Sequence, residues 1–331
     1  MTYKFGDTGK PDSQSPHRNS SGVDTRPEES RTKLPPHLSL AVLLAVSLLV
    51  GWHPLVDTFA LALRDAAYTH ILLILPVSAA LIFREWRSLR PIIAPNVRAG
   101  SALLAMAVLV AGLARGWSSL SSDVQLSIRM FALVLAWIGA FVLCFGSRVS
   151  RSVLFPLCFL FGLVPFPQFA LNEIVRLLQQ GSAWAAYVLF SAVGVPVAQN
   201  GVLLTIPGLT VEVAQECSSI RSSSMLLVTT MVLAQLLLRS PWRKVLVIGV
   251  AVPLSVAKNG LRIFTIAMLA TRVDPGYLTG RLHHEGGVVF FTIALIGVFV
   301  LLWILRRGED VPQDLTLVHK PVAANAHRRP C

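Results

Sequence analysis

Apolar runs about as long as a bilayer is thick, bracketed by arginines, constrain this chain more than any other feature. Near the end stands "GGVVFFTIALIGVFVLLWILRR", in which no charge appears before Arg306 and Arg307. In hydrocarbon a lone run of that kind satisfies its backbone only as a helix. Composition agrees: 54% of the 331 residues are hydrophobic and 14% charged, against about 25% charged in soluble domains. Mean hydropathy is +0.64. The net charge of +12 invites a nucleic-acid reading. The basic residues instead fall in short clusters beside apolar runs, as in loops held in the cytoplasm, with no zinc-finger spacing or aromatic-interleaved basic patch. No nucleic-acid partner is expected; the partner the composition demands is the lipid bilayer.

The fold class is therefore an all-α polytopic membrane protein of about eight transmembrane helices. The predicted spans are Leu38 to Trp52, Ile71 to Phe83, Ala99 to Leu113, Ile128 to Phe145, Val153 to Phe166, Ile220 to Leu238, Val245 to Thr271 and Gly287 to Leu305. The first is short and is expected to continue past Pro54 as a kinked helix. Arg84, Arg87, Arg90 and Arg98, then Arg148 and Arg151, then Arg239, Arg243 and Lys244, then Arg306 and Arg307 mark cytoplasmic ends. That parity leaves no room for a further crossing by "SAWAAYVLFSAVGV" (182–195), which is expected as an amphipathic or re-entrant helix on the outer side. "GVLLTIPGLTVEV" after it alternates like a short hairpin. Residues 1–36, rich in Ser, Pro, Arg and Lys, read as a disordered cytoplasmic tail, 37–306 as the transmembrane domain, and 307–331 as a cytoplasmic C-terminal tail.

Of four cysteines, no two are spaced as C-x-x-C, and Cys144 and Cys158 fall in apolar segments where an inert thiol is the default. Cys217, in "ECSSIRSSS", has polar and charged neighbours at the outer start of the sixth span. Arg221 and the helix N-terminus both favour its thiolate. Arg262 falls in the outer half of the seventh span, with Asn259 beside it and Lys258 one turn deeper; His283 and His284 precede the eighth. Each has a plain structural reading: a buried thiol, a snorkelling arginine, interfacial histidines. Together a thiol, a guanidinium and an imidazole supply the nucleophile, oxyanion holder and acid/base that acyl transfer needs. Sequence places them in one layer of the membrane without showing that they touch.

Three blocks in order, "ECSSIRS", "NGLRI" and "HHEGGVVFF", resemble the signatures of the exosortase/archaeosortase family of membrane-embedded cysteine transpeptidases. "DAAYTHILLILPVS", "GLVPFP" and "GVLLTIPGLTVEV" also sit where that family has comparable stretches. The resemblance implies Cys217 as nucleophile, Arg262 as transition-state stabiliser and His283 as acid/base, with Arg221, Asn259 and His284 in support. His283 is favoured over His284 because the family's histidine stands four residues before the glycine, here Gly287. It further implies no cofactor or metal. The substrate would be a membrane-anchored protein with a C-terminal sorting signal: a Pro-Glu-Pro motif, one span and a basic tail. Cleavage would fall on the outer face of a bacterial cytoplasmic membrane, often in cells that make exopolysaccharide. Glu216 and Ser219 depart from the family's usual Ala and Gly beside the cysteine. The rival readings are a transporter whose Lys258, Arg262 and histidines line an anion path, a structural subunit of polysaccharide export, and an intramembrane hydrolase using Ser218 or Ser222.

Overall fold

The computed structural model describes residues 35–89, 94–117, 119–213, 220–278 and 287–309. The helices are α1 (Pro36–Val50), α2 (Trp52–Arg64), α3 (Ile71–Leu89), α4 (Val97–Gly116), α5 (Ser122–Ser152), α6 (Leu154–Phe159), α7 (Gln168–Ala192), α8 (Ile220–Leu237), α9 (Pro241–Arg272) and α10 (Gly287–Arg307). Among the described residues, six stretches are long and apolar enough to cross a membrane, two sharply bent pairs bring the number to eight if each pair is one span, and there is one small sheet. The chain is an all-α polytopic membrane protein.

The first bent pair is α1 and α2, which meet at 74°. The break falls at Gly51 rather than at Pro54. Pro54 lies in the first turn of α2, where its missing N–H leaves no bond unmade. α4 lies along α5 through Gly100, Ala107 and Ala114, all buried and seven residues apart. Small residues at that spacing let two membrane helices approach closely. Gly100 faces Leu143 and Gly139 faces Leu103 and Leu104, so the pair is antiparallel. α5 is longer than the expected span because Ser122 and Arg151 extend it at both ends, and it kinks at Gly146, whose φ is +86°. A Cβ there would stand 1.7 Å from the Ala94 carbonyl oxygen. Trp137 Nε1 donates to Ser47 Oγ at 2.9 Å, tying α5 to α1. Phe145 packs against Phe141 and edge-on to Trp86 in the same core.

The expected fifth span at 153–166 is instead the short α6 and a 3-10 turn, Leu160–Leu163, which bend by 100° into α7. Of the segment 182–195, residues 182–192 are the second half of that 25-residue helix, which ends at Ala192 before a turn through Gly194. Asn172, Glu173, Arg176, Gln179 and Gln180 interrupt its apolar run, so hydropathy hides the helix. Its start has no local side-chain cap; the carboxylate of Asp123 on α5 accepts the Gln168 N–H at 2.7 Å and serves as one. α7 and α9 advance in the same sense: Gly181 faces Val256, Ser182 bonds Asn259, Ala185 faces Gly260 and Phe190 packs on Phe264.

The expected hairpin gains a third strand. β1 (Ala198–Asn200), β2 (Leu203–Ile206) and β3 (Leu209–Glu212) form an antiparallel meander in the order β1-β2-β3, with Ile206 opposite Leu209 across a Pro207–Gly208 turn. Gly208 has φ +84°, which favours glycine there. Leu204 and Ile206 point one way into a core with Ala183, Ala186, Phe190, Ile263 and Ala267. This core is separate from that of the α1–α6 region. A third core joins α8, α9 and α10 through Leu226, Val247, Val298 and Leu302. At its basic end the Glu309 carboxylate accepts the backbone N–H groups of Arg239 at 2.9 Å and Ser240 at 2.8 Å, and Arg243 donates to the Leu305 carbonyl at 2.6 Å.

Candidate active site

Helix register sets the depth of the charged residues. Lys258 Nζ donates to Ser222 Oγ, and Ser255 and Ser223 hydroxyls meet at 2.5 Å, so the turn of α9 at Lys258 is level with the first turn of α8. Arg262 is four residues further along α9, about 6 Å at 1.5 Å per residue. Ile220, where α8 begins, is two residues before Ser222, about 3 Å. Arg262 thus stands about 3 Å past the start of α8 by the Lys258–Ser222 contact and about 6 Å by the Ser255–Ser223 contact. α10 gives the same level from the other side. Gly297 faces Leu254, and counting about 12 Å along α9 to Arg262 and about 15 Å back along α10 to Gly287 makes Arg262 and the start of α10 level to within about 3 Å. Arg262 occupies the depth at which both helices begin.

Asn259 is 1% exposed and donates to Ser182 Oγ on α7 at 2.9 Å. The Ser182 hydroxyl in turn donates to the Leu178 carbonyl at 2.6 Å. Gly260 makes this possible. A Cβ on it would lie 2.5 Å from Ala185 Cβ, so α7 touches α9 through glycine at the turn that carries Asn259 and Arg262. Lys258 is 6% exposed and sits on the same face as Arg262, one turn deeper. Arg221, in the first turn of α8, is exposed. Among the expected site residues, the structure places Asn259 and Arg262 one turn apart on α9 and Arg221 at the start of α8; Lys258, expected only as a charge one turn deeper, is held against α8. Cys217, His283 and His284 lie outside the described residues.

A cavity of about 500 Å³ opens beside this end of α8. It is lined mainly by apolar side chains, with Tyr68, His70, Ser223, Ser224 and Ser255 as its polar groups. These come from segments far apart in sequence, and the strap at 164–167 fixes the Tyr68 side of the cavity to α5. The Tyr68 hydroxyl donates to the Phe166 carbonyl at 2.8 Å, and the Ser127 hydroxyl to the Pro165 carbonyl at 2.7 Å. Asp65 caps the 3-10 turn at Ala66–Tyr68 by accepting the Ala67 N–H at 2.8 Å. His70 is held by a 3.1 Å contact of Nδ1 with the Ala67 carbonyl oxygen. The segments "DAAYTH" and "GLVPFP" are thus two halves of one joint. Cys144 is buried in the first core, and Cys158 lines the cavity.

A family model described as "Transmembrane exosortase (Exosortase_EpsH)" matches residues 60–300. The chain belongs to the transmembrane exosortase family. No curated protein and no solved structure matches it. Family membership places the chain among membrane transpeptidases of protein sorting. The matched region runs from α2 to within α10 and contains all three blocks named above.

Sequence reading missed the parts played by Ser182, Tyr68 and His70. Ser182 is an isolated hydroxyl in an apolar helix, and nothing local names its partner 77 residues away. Tyr68 and His70 were visible as polar residues leading an apolar run, but their place beside α8 depends on tertiary packing. Ser222 was already named with Ser218 as an alternative nucleophile, and its contact with Lys258 gives it the partner that its local sequence lacked.

Proposed function

We propose that this exosortase is an intramembrane cysteine protease and transpeptidase that cleaves a C-terminal sorting signal at the outer face of the cytoplasmic membrane. The observation that carries the reading is the depth of Arg262, level with the starts of α8 and α10. In sequence Cys217 stands three residues before Ile220, and His283 four residues before Gly287. Both therefore lie within a few residues, in sequence, of a helix start that is close in depth to the guanidinium, which supports the reading. The arginine clusters at the opposite end of the bundle support a cytoplasmic placement for that end.

In this mechanism the Cys217 thiolate attacks the scissile carbonyl carbon of the substrate, and the carbonyl oxygen takes up the charge. Arg262 keeps its charge at any working pH and offers several donors to that oxyanion. His283, protonated, gives its proton to the leaving amine as the C–N bond breaks and the thioester forms. An incoming amine or water then loses a proton to the same imidazole as it attacks the thioester, and the thiolate leaves. Asn259 acts through position: its bond to Ser182 fixes the turn that aims Arg262. Arg221, in the first turn of α8, favours the thiolate, and His284 supports His283. The apolar cavity beside Tyr68 and His70 suits a hydrophobic stretch of the substrate next to its cleavage point. The substrate is a membrane-anchored protein ending in a Pro-Glu-Pro motif, one span and a basic tail.

A second reading has its own observation. The part-buried contact between Lys258 and Ser222 is that of a serine–lysine pair, with Ser222 as nucleophile and Lys258 as base after losing a proton. One experiment separates the two. A candidate substrate is co-expressed with wild type, Cys217→Ala or Ser222→Ala, and its C-terminal fragment is identified by mass spectrometry. Loss of cleavage in Cys217→Ala with cleavage retained in Ser222→Ala supports the cysteine mechanism. The reverse pattern overturns it.

A further inference from the structure

A second cavity, of about 420 Å³, lies between α1, the start of α2, α4 and α5. Its wall runs from Leu104 to Arg115 on α4 and from Arg129 to Ala140 on α5. Each stretch covers about 16 Å along its helix, close to half of a hydrocarbon core about 30 Å thick. The groove is one leaflet deep. Its floor is largely methyl groups from Ala107, Ala111, Ala132, Ala136 and Ala140, which ask for no hydrogen bond.

Charge is confined to the mouth. α4 and α5 are antiparallel, with Gly100 facing Leu143 and Gly139 facing Leu104. Position numbers that face each other therefore add to about 243, and Arg115 and Arg129 add to 244. The two arginines stand across from each other at one level. Both are exposed, and no carboxylate lines the cavity. Arg129 spends one donor on Gln125 Oε1 at 3.0 Å, while Arg115 makes no hydrogen bond or ion pair with a described residue. Trp52, 59% exposed, opens α2 directly after the bend at Gly51, and Trp117, 61% exposed, is the C-cap of α4, two residues past Arg115. Exposed tryptophans at helix ends mark the headgroup level of a bilayer.

We propose that this groove is a binding site for an anionic phospholipid of the adjoining leaflet. The guanidiniums of Arg115 and Arg129 take the phosphate, for which planar paired donors are suited, and an acyl chain lies along the alanine floor. The paired charges at the mouth, the apolar floor and the exposed tryptophans select a lipid as the occupant. The site is separate from α7–α10, so it stands whether or not the chemistry proposed above is correct.

The test is native mass spectrometry of the full chain in detergent with equimolar dioleoyl phosphatidylglycerol and dioleoyl phosphatidylcholine. Two basic residues at a headgroup give an expected preference for phosphatidylglycerol of roughly 10- to 30-fold. The double variant Arg115→Gln, Arg129→Gln should bring the two lipids within about twofold, since the charge term is gone. Arg148→Gln, Arg151→Gln, at the opposite end of α5, should keep the preference. Ala111→Phe, which fills the groove and leaves the charges, should lower retention of both lipids. Equal retention by wild type, a preference that survives loss of Arg115 and Arg129, or unchanged retention in Ala111→Phe would overturn the assignment.

Discussion

Gly260 offers the clearest test of how the fold aims Arg262. A Cβ at this position would lie 2.5 Å from Ala185 Cβ, 3.0 Å from Ala186 N and 3.1 Å from the Ala185 carbonyl carbon. Non-bonded carbons settle at about 3.5–4.0 Å, and two of the three obstructing atoms are backbone, so α7 and α9 must separate by roughly 1 Å. Overpacking of this kind costs about 1–3 kcal/mol. A 1 Å displacement of a catalytic group costs about 100-fold in rate. Gly260→Ala is therefore expected to lower the thermal midpoint in detergent and to cut substrate cleavage by about 100-fold, measured on membranes matched for protein level. Gly249→Ala is the control. It lies on the same helix with nothing within 4 Å of a new Cβ, and should be neutral or stabilising by about 0.5–1 kcal/mol. Adding Ala185→Gly to Gly260→Ala removes the 2.5 Å contact and leaves the backbone ones, so part of the loss should return. Gly260→Ala behaving like Gly249→Ala in both assays would refute the coupling of helix spacing to the site.

Arg262→Lys keeps the charge but loses the planar fork; cleavage should fall by at least about 100-fold while expression and insertion hold, and near-normal cleavage would reduce Arg262 to an anchor. Ser182→Ala removes the partner of Asn259 and should cost about 0.6–1.7 kcal/mol, the range for hydrogen bonds between membrane helices, read as a lower midpoint in detergent; Ser191→Ala, exposed on the same helix, should cost less. Glu309 is held below the usual carboxylate range, first by the Arg239 N–H and then by the Ser240 N–H. Its depressed folded value means a contribution to stability that is full above the ordinary carboxylate pKa and disappears as pH falls through and below that range. The midpoint difference between wild type and Glu309→Gln should therefore shrink in acid, and a difference that grows in acid would contradict the assignment.

What sequence could and could not reveal follows from where each interaction is made. The helices were legible because a backbone in hydrocarbon has no partner but itself; the apolar runs and arginine clusters of α3, α4, α8 and α10 carry that constraint locally. The bend after α1 was legible as a bend but was displaced to Pro54, because proline is the strongest local breaker and Gly51 acts through its close approach to Leu133. α7 was half hidden: its polar first half is helical because Asp123, 45 residues away, caps it. The family blocks marked Arg262 as a charge inside a span, and a charge there needs a reason. Its chemical use depends on depth, which no spacing in α9 contains. Depth arises from two contacts between helices, Lys258 with Ser222 and Gly297 with Leu254, which align α9 independently with α8 and α10. If Lys258 is one half of that alignment, it is more than a second positive charge near the site. Replacing it by methionine, which keeps length and loses the donor, should loosen the start of α8 relative to Arg262. Cleavage should then fall in kcat with little change in KM, because the substrate still meets the same apolar cavity. A change confined to KM would instead make Lys258 a substrate contact, and the alignment of α8 would have to rest on the Ser255–Ser223 bond alone.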